Sequence, residues 1–387
     1  MASSERSSKF RLGYRPALDG LRGVSILAVM GFHSGRLSGG YLGVDVFFAL
    51  SGFLITSLLV EEYERNGAIS LRKFYARRAL RLLPALVVLI GLCEVVLLVA
   101  IPPEFWSLAL AYAAAVLFYV ANWASIWGMQ LGVFSHTWSL AIEEQFYLLW
   151  PLVLIGLLRF VRNQRAIESI VVGGAIAAIA YRIVIAGMGA SLSHLYRGLD
   201  AHADPLLIGC AAGLFLCWGR LPSSRIALAG AKIVGLVAAV SLTFLFVAAG
   251  FPADYVRYQV GAVTALAAVL IIVDVCVARS WLARGLENPL LVSLGRISYG
   301  VYLWHYPIFY AVGALSLNGQ VPALPRMIAG CIATLAIATA SYQIVERPAL
   351  ELKQRFTALR ARPSQKANNS PIEDRAAGEV APSFYRH

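Results

Sequence analysis

Long apolar runs separated by short polar segments make up most of this chain. A helix needs about 20 mainly apolar residues to cross a bilayer, and ten runs approach or reach that length. The pattern therefore predicts an all-α polytopic membrane protein. The predicted transmembrane helices lie near residues 21–38, 44–60, 79–101, 138–158, 167–187, 204–218, 229–250, 257–277, 297–315 and 325–345.

One further apolar segment, near 107–126, decides the topology. With ten crossings and a cytoplasmic N-terminus, 28 of the 33 lysines and arginines fall in cytoplasmic segments. This is the distribution that the positive-inside rule favours. If 107–126 also crossed, 17 of those 28 would move to the outside. We therefore predict a re-entrant or interfacial helix there, with both termini in the cytoplasm.

Composition excludes an ordinary soluble protein. Only 14% of the residues are charged and 59% are hydrophobic, whereas soluble domains have about 25% charged residues. The net charge of +12 is explained by the basic cytoplasmic loops, so it does not indicate nucleic acid binding. The five cysteines lie in apolar stretches without metal-ligand spacing, and we predict no metal site.

The chain divides into one membrane domain and two polar tails. We predict a cytoplasmic tail over 1–13, the membrane domain over 14–350 and a disordered cytoplasmic tail over 351–387, which is rich in Arg, Ala, Ser and Pro. Arg22 and His33 interrupt the first apolar run, which is therefore expected to be an uncleaved membrane helix and not a signal peptide.

Ionisable residues at membrane depth are costly and indicate function by default. Arg22 and His33 are eleven residues apart, which puts them on one helical face with an axial rise of about 16 Å. Asp19 lies on nearly the same face. A long acyl carrier, with phosphates at one end and a thioester at the other, would fit this spacing. The alternative is a histidine that is hydrogen-bonded for packing alone.

Two other helices carry acidic and basic groups. Asp45, at the start of the second helix, could orient a basic side chain or simply cap the helix. His136, Ser139 and Glu143 follow one face of the fourth helix. The alternative for this helix start is a cap formed by Thr137.

Two further groups of polar residues complete the candidates. Tyr302 and His305 lie along one stripe of the ninth helix, where an aromatic belt at the membrane interface is the alternative. The cytoplasmic loop 61–81 contains Arg78 and Arg81, which could hold phosphate. Topology alone also demands a basic loop there, and anionic lipid could bind to it.

These segments together resemble the acyltransferase-3 family of membrane proteins. The resemblance covers residues 14–350 and rests on the motifs DGLRG, GVDVFFALSGFLI, RRALRLLP, HTWSLAIEEQFYLLWP, GRISYGVYLWHYP and IVERP. It implies about ten transmembrane helices and transfer of an acyl group, often acetyl, from cytoplasmic acyl-coenzyme A. The acceptor would be a hydroxyl of a cell-surface glycan, a lipid-linked precursor or a secondary metabolite.

The resemblance also implies roles for individual residues. His33 takes the catalytic position and Arg22 helps to hold the coenzyme, while Arg78 and Arg81 match an arginine pair of the family. Glu143 matches the acidic position after WSL. We assign Asp45 with His33 and Glu143 to catalysis and Asp19 to donor binding. Supporting positions are assigned to Ser139, His136, Tyr302 and His305.

The functional hypothesis is general-base catalysis by neutral His33, with Glu143 or Asp45 fixing the tautomer of its ring. The protein is expected in a bacterial plasma membrane. A covalent acyl-histidine intermediate stays open. The alternatives are a secondary transporter, whose proton relay would use the same residue types, and a catalytically inactive homologue. About forty residues follow IVERP, so the extracytoplasmic hydrolase-like domain of some relatives is not expected.

Overall fold

The computed structural model describes residues 10–220, 224–257, 259–278, 280–314 and 323–351. Every regular element in these ranges is helical. The helices are α1 (Pro16–His33), α2 (Gly43–Asn66), α3 (Leu71–Ala100), α4 (Trp106–Leu117), α5 (Ala121–Ile126), α6 (Trp138–Phe160), α7 (Gln164–Gly187), α8 (Leu192–Arg197), α9 (Asp204–Cys217), α10 (Arg225–Ala248), α11 (Ala253–Arg257), α12 (Val260–Val273), α13 (Trp281–Leu286), α14 (Pro289–Arg296), α15 (Ser298–Ala314) and α16 (Ala323–Ser341).

Each of the ten predicted transmembrane segments corresponds to one of these helices. Seven helices of the described chain are long and apolar enough to cross a bilayer: α2, α3, α6, α7, α10, α12 and α16, some of them with a short extension. The other three, α1, α9 and α15, have only 18, 14 and 17 residues. They are mostly buried among other helices. The prediction of a polytopic helical membrane protein is confirmed.

The segment near 107–126 does not form one spanning helix. It breaks into α4 and α5 at Tyr119, whose φ of +54° lies in the left-handed region. The 12 residues of α4 extend about 18 Å, well short of the ~30 Å hydrocarbon core. This agrees with the prediction that the segment does not cross.

Helix α2 forms the centre of the bundle, and its neighbours approach it closely. In α2, 83% of the most apolar window is buried, against 17–22% in α3, α7, α10 and α16, which present apolar outer faces suited to lipid. Glycines allow the crossing of α2 with α9. A Cβ at Gly52 would lie 2.0 Å from the Leu206 carbonyl oxygen, and one at Gly209 would lie 2.1 Å from that of Ala49.

Two contacts identify the end of the bundle at which the basic segments meet. The backbone amide of Leu12, before α1, donates to Glu61 near the end of α2. Arg220, after α9, pairs with Glu168 near the start of α7 at 2.7 Å. We call this the basic end, and we call the opposite end, where α2 and α9 begin, the far end. The positive-inside rule predicts that the basic end faces the cytoplasm.

Candidate functional site

Arg22 connects three helices near the basic end. Its Nε donates to the Ser298 hydroxyl of α15 at 3.3 Å, and its guanidinium lies 5.4 Å from the centre of the Phe47 ring of α2. The side chain therefore points into the bundle.

A small cavity of about 40 Å³ lies beside Arg22. Its polar wall is formed by Arg22, Ser139, Glu143, Ser298 and Tyr302. Helices α1, α6 and α15 thus bring together residues that the sequence placed in three separate motifs. The volume is close to that of one water molecule in the liquid, about 30 Å³, so a larger ligand requires the lining side chains to move.

Glu143 is held by two hydroxyl groups. The Ser51 hydroxyl of α2 and the Tyr147 hydroxyl, one turn along α6, both donate to Glu143 Oε1. The Arg78 guanidinium lies 3.5 Å from the centre of the Tyr147 ring, a cation–π contact that fixes its position. The sequence predicted Glu143 and Arg78 separately, but the tyrosine that links them was missed.

Three arginines gather at the basic end of the small cavity. Arg81 lies within electrostatic range of both Arg22 and Arg78. None of the three forms an ion pair with another residue in the described ranges. Glu143 and Glu144 lie within electrostatic range of Arg78 and Arg81 and offset part of this positive charge. The three guanidinium groups carry N–H donors of the kind that bind phosphate oxygens. Glu346 of the IVERP motif, which the site prediction did not include, is buried and in electrostatic range of Arg81.

Three histidines form a cluster toward the far end. The rings of His33 and His305 are 4.9 Å apart, and those of His136 and His305 are 5.4 Å apart, centre to centre. Tyr306 joins the cluster, with its ring 5.2 Å from His33 and stacked on His136 at 5.1 Å. The Tyr302 hydroxyl donates to the His136 carbonyl at 2.9 Å and is hydrogen-bonded to Ser139.

Backbone carbonyls fix the tautomer of each histidine, because a carbonyl can only accept. Nδ1 of His33 faces the Val29 oxygen at 3.0 Å, and Nδ1 of His305 faces the Tyr302 oxygen at 2.6 Å. These nitrogens carry the hydrogen, which leaves Nε2 as the basic lone pair. For His136 the hydrogen is on Nε2, which faces the Leu303 oxygen at 3.1 Å.

A larger cavity of about 820 Å³ lies on the other side of the histidine cluster. Helix α15 passes along both cavities. Its residues Ser298 and Tyr302 line the small cavity, and Tyr306 and Tyr310, further along the helix, line the large one. His33 lines neither of these two cavities, but its ring contacts Tyr306. The cluster therefore separates a small space near the arginines from a large space toward the far end.

Asp45 and Asp19 do not contact His33. Asp45 is fully buried and is hydrogen-bonded to His202 Nε2 at 2.9 Å, an interaction that links the starts of α2 and α9. Asp19 accepts from the Tyr14 hydroxyl at 3.1 Å at the basic end. The suggestion that Asp45 or Glu143 fixes the His33 tautomer has no support in the contacts, since a backbone carbonyl occupies Nδ1. Across the described ranges, no cluster of His, Cys, Asp and Glu is arranged to hold a metal ion.

Comparison with known proteins identifies the family. A family model described as an acyltransferase domain matches residues 15–343. The chain therefore belongs to this family, and the resemblance stated from the motifs is confirmed. No solved structure matches the chain.

Three relatives are O-acetyltransferases by name. The chain is 33% identical to the peptidoglycan O-acetyltransferase OatA of Listeria monocytogenes, over 89% of this chain and 57% of the relative. It is 36% identical to the O-acetyltransferase OatA of Staphylococcus aureus, over 87% and 57%. For the putative O-acetyltransferase SAS0844 of Staphylococcus aureus, the identity is 32% over 92% and 60%. The chain thus spans less than two thirds of the length of these relatives.

Proposed function

We propose that this protein is an integral membrane O-acyltransferase that transfers an acyl group, in particular acetyl, from acyl-coenzyme A to a hydroxyl of a glycan, a glycan precursor or a secondary metabolite. One observation carries the proposal. A single helix, α1, holds Arg22 among three arginines at the basic end and His33, eleven residues further on, against two other histidines. The axial rise between them is about 16 Å.

The donor enters from the basic end. Its phosphates bind to Arg22, Arg78 and Arg81, whose guanidinium groups suit phosphate oxygens. Its extended chain passes through the small cavity, whose lining side chains move to admit it, and brings the thioester to His33. In this proposal the protein lies in the plasma membrane of a bacterial cell. The donor site and both chain termini face the cytoplasm. The concentration of positive charge at the basic end supports this orientation.

His33 acts as the general base. Its Nε2 lone pair accepts the proton of the acceptor hydroxyl while the hydroxyl oxygen attacks the thioester carbonyl. The carbon–sulfur bond then breaks, and the coenzyme leaves as a thiolate that takes the proton back from His33. The Nδ1–H bond to the Val29 carbonyl persists throughout and stabilises the transient imidazolium. The buried cluster limits access of water and therefore hydrolysis of the thioester.

The acceptor enters from the large cavity. That cavity reaches the histidine cluster through Tyr306, on the side opposite the arginines. Donor and acceptor would therefore approach His33 from different ends of the bundle. The names of the relatives support acetyl as the transferred group, and that of the Listeria relative supports a glycan acceptor.

The proposal is tested by transfer of label in a purified system. The protein in lipid nanodiscs receives labelled acetyl-coenzyme A and an extract of cell-envelope glycans and small metabolites. We expect His33→Ala and His33→Gln to lower label transfer about 10²- to 10⁴-fold, the usual contribution of general acid–base catalysis. Elution profile and melting temperature should be unchanged in both.

Thr339→Ala is the control. Thr339 is exposed on α16, outside the cluster and both cavities, and its hydroxyl donates to the Leu335 carbonyl of its own helix at 2.6 Å. We expect this variant to transfer label within about twofold of the wild type. Equal transfer by the wild type and His33→Ala would remove His33 from the mechanism, and no transfer by the wild type into any fraction would overturn the proposed activity.

A further inference from the structure

Arg197 occupies a position that the distribution of basic residues does not explain. It ends α8, away from the basic segments that hold 28 of the 33 lysines and arginines. It lines the large cavity together with Tyr306. Among the lining residues in the described part of the chain it alone is charged. Arg197 thus lies outside the segments that the sequence predicts to be cytoplasmic. This unusual position was visible in the sequence, but the site prediction did not include the residue.

The guanidinium of Arg197 has no protein partner in the described ranges. The nearby acidic groups are already engaged, since Asp200 binds His194 and Asp204 binds Arg182. Burial lowers the pKa of Arg197 from its ordinary value, because the surroundings withdraw water without supplying an anion. A half-buried cation is costly to the fold when no counter-ion offsets its lost hydration. The Arg197 guanidinium faces a large cavity without such a partner, so it is free to bind an anionic group there.

The backbone around Arg197 is held in place. The Asn122 side chain of α5 donates to the Arg197 carbonyl at 3.2 Å, and Asn122 is itself hydrogen-bonded to Gln145 of α6. The arginine therefore extends from an anchored helix end. It lies within electrostatic range of Tyr306, whose ring contacts His33. A group bound at Arg197 would thus share the cavity with the hydroxyl that reaches His33.

We propose that Arg197 binds an oxyanion of the acceptor, a carboxylate or a phosphate, and so selects acceptors that carry negative charge as well as a hydroxyl. This inference rests on the proposed acyltransferase activity. Apolar residues of α3 and α4, among them Leu97, Ile101 and Leu108, form another part of the wall. They offer contact to the uncharged part of such a molecule.

The test separates charged from neutral acceptors. The cell-envelope extract is divided by ion exchange into anionic and neutral fractions, and each is incubated with labelled acetyl-coenzyme A and the full-length protein in nanodiscs. The variants are Arg197→Gln, Arg197→Lys and the control Arg36→Gln. Arg36 is exposed at the far end, after α1, and does not line the cavity.

We expect the wild type to label the anionic fraction. Arg197→Gln should lower kcat/KM for this fraction about 10- to 100-fold, as expected for loss of a hydrogen-bonded charge pair. Arg197→Lys should restore part of the loss, and Arg36→Gln should match the wild type. KM for acetyl-coenzyme A and the slow hydrolysis of the thioester without acceptor should be unchanged in every variant, because Arg197 does not contact the donor.

Pretreatment of the anionic fraction identifies the oxyanion. Amidation of carboxyl groups with a carbodiimide abolishes labelling if the anion is a carboxylate, and phosphatase with pyrophosphatase abolishes it if the anion is a phosphate. The proposal is overturned if label enters only the neutral fraction, if Arg197→Gln acts like the wild type, or if neither treatment reduces labelling. Failure of the proposed function itself looks different, since the wild type then labels no fraction.

Discussion

Replacing Asp204 by asparagine tests how much the buried ion pair between α7 and α9 contributes to stability. Arg182 and Asp204 are both fully buried, and the arginine donates to both carboxylate oxygens, at 2.6 and 3.1 Å. It also donates to the Gln259 side chain at 2.7 Å and the Ala201 carbonyl at 2.8 Å. Four hydrogen bonds from one guanidinium therefore connect α7 with the starts of α9 and α12.

The magnitude follows from what each substitution leaves behind. Asp204→Asn removes the carboxylate that pairs directly with the buried guanidinium and leaves only Asp45, among the described acidic groups, within electrostatic range, so it should lower the free energy of unfolding by about 3–5 kcal/mol. Arg182→Met combined with Asp204→Leu removes both charges. This double variant should lose less, about 1–3 kcal/mol, because only the acceptors on Gln259 and Ala201 remain unpaired. The two changes are therefore coupled, as expected for residues in direct contact.

The assay is reversible unfolding in mixed detergent micelles, followed by tryptophan fluorescence. Glu351→Gln is the control, because it breaks an exposed pair with Arg347 whose side chains are 57% and 66% accessible. Such a pair contributes under about 1 kcal/mol. If Asp204→Asn cost no more than Glu351→Gln, the account of the buried network would be refuted.

Three further substitutions test helix packing and donor binding. Gly52→Ala should destabilise by about 1–3 kcal/mol, because its Cβ would meet the Leu206 carbonyl at 2.0 Å. Gly91→Ala on α3 is the control, because a Cβ there would meet nothing within 4 Å. It should be neutral or stabilising by up to about 1 kcal/mol. Equal melting temperatures for the two variants would contradict the role of Gly52 in packing. Ser298→Ala removes the hydrogen bond to Arg22 and should raise KM for acetyl-coenzyme A about 2- to 10-fold with kcat within about twofold. A fall in kcat alone would show that Ser298 does not position the donor arginine.

Local patterns were sufficient to predict the long apolar helices, but not the short helices α8, α13 and α14 between them. Hydropathy over about 20 residues located all ten candidate segments, and the charge distribution kept 107–126 out of the count of crossings. The boundaries were less accurate, because helices continue beyond the apolar core: α2 runs on to Asn66 and α3 begins at Leu71, both among charged residues. Helical spacing put Arg22 and His33 on one face of α1, and both side chains contact residues of α15.

Contacts between distant parts of the chain were not predictable from these patterns. His202 is 157 residues from Asp45, and nothing local to either residue indicates that they pair. Arg197 lies on a six-residue helix between spans, so the search for ionisable residues inside apolar runs passed over it. The catalytic and supporting roles of His33, Glu143, Asp45 and their neighbours stay predictions until variants are assayed.

A structure of the protein with a bound thioether analogue of acetyl-coenzyme A, determined by electron cryo-microscopy, tests the central claim most directly. The account predicts phosphate groups in contact with Arg22, Arg78 and Arg81. It also predicts the thioether at the far end of the small cavity, with His33 Nε2 within about 4 Å of the position of the reacting carbon. An analogue bound in the large cavity, or a thioether remote from His33, would contradict it.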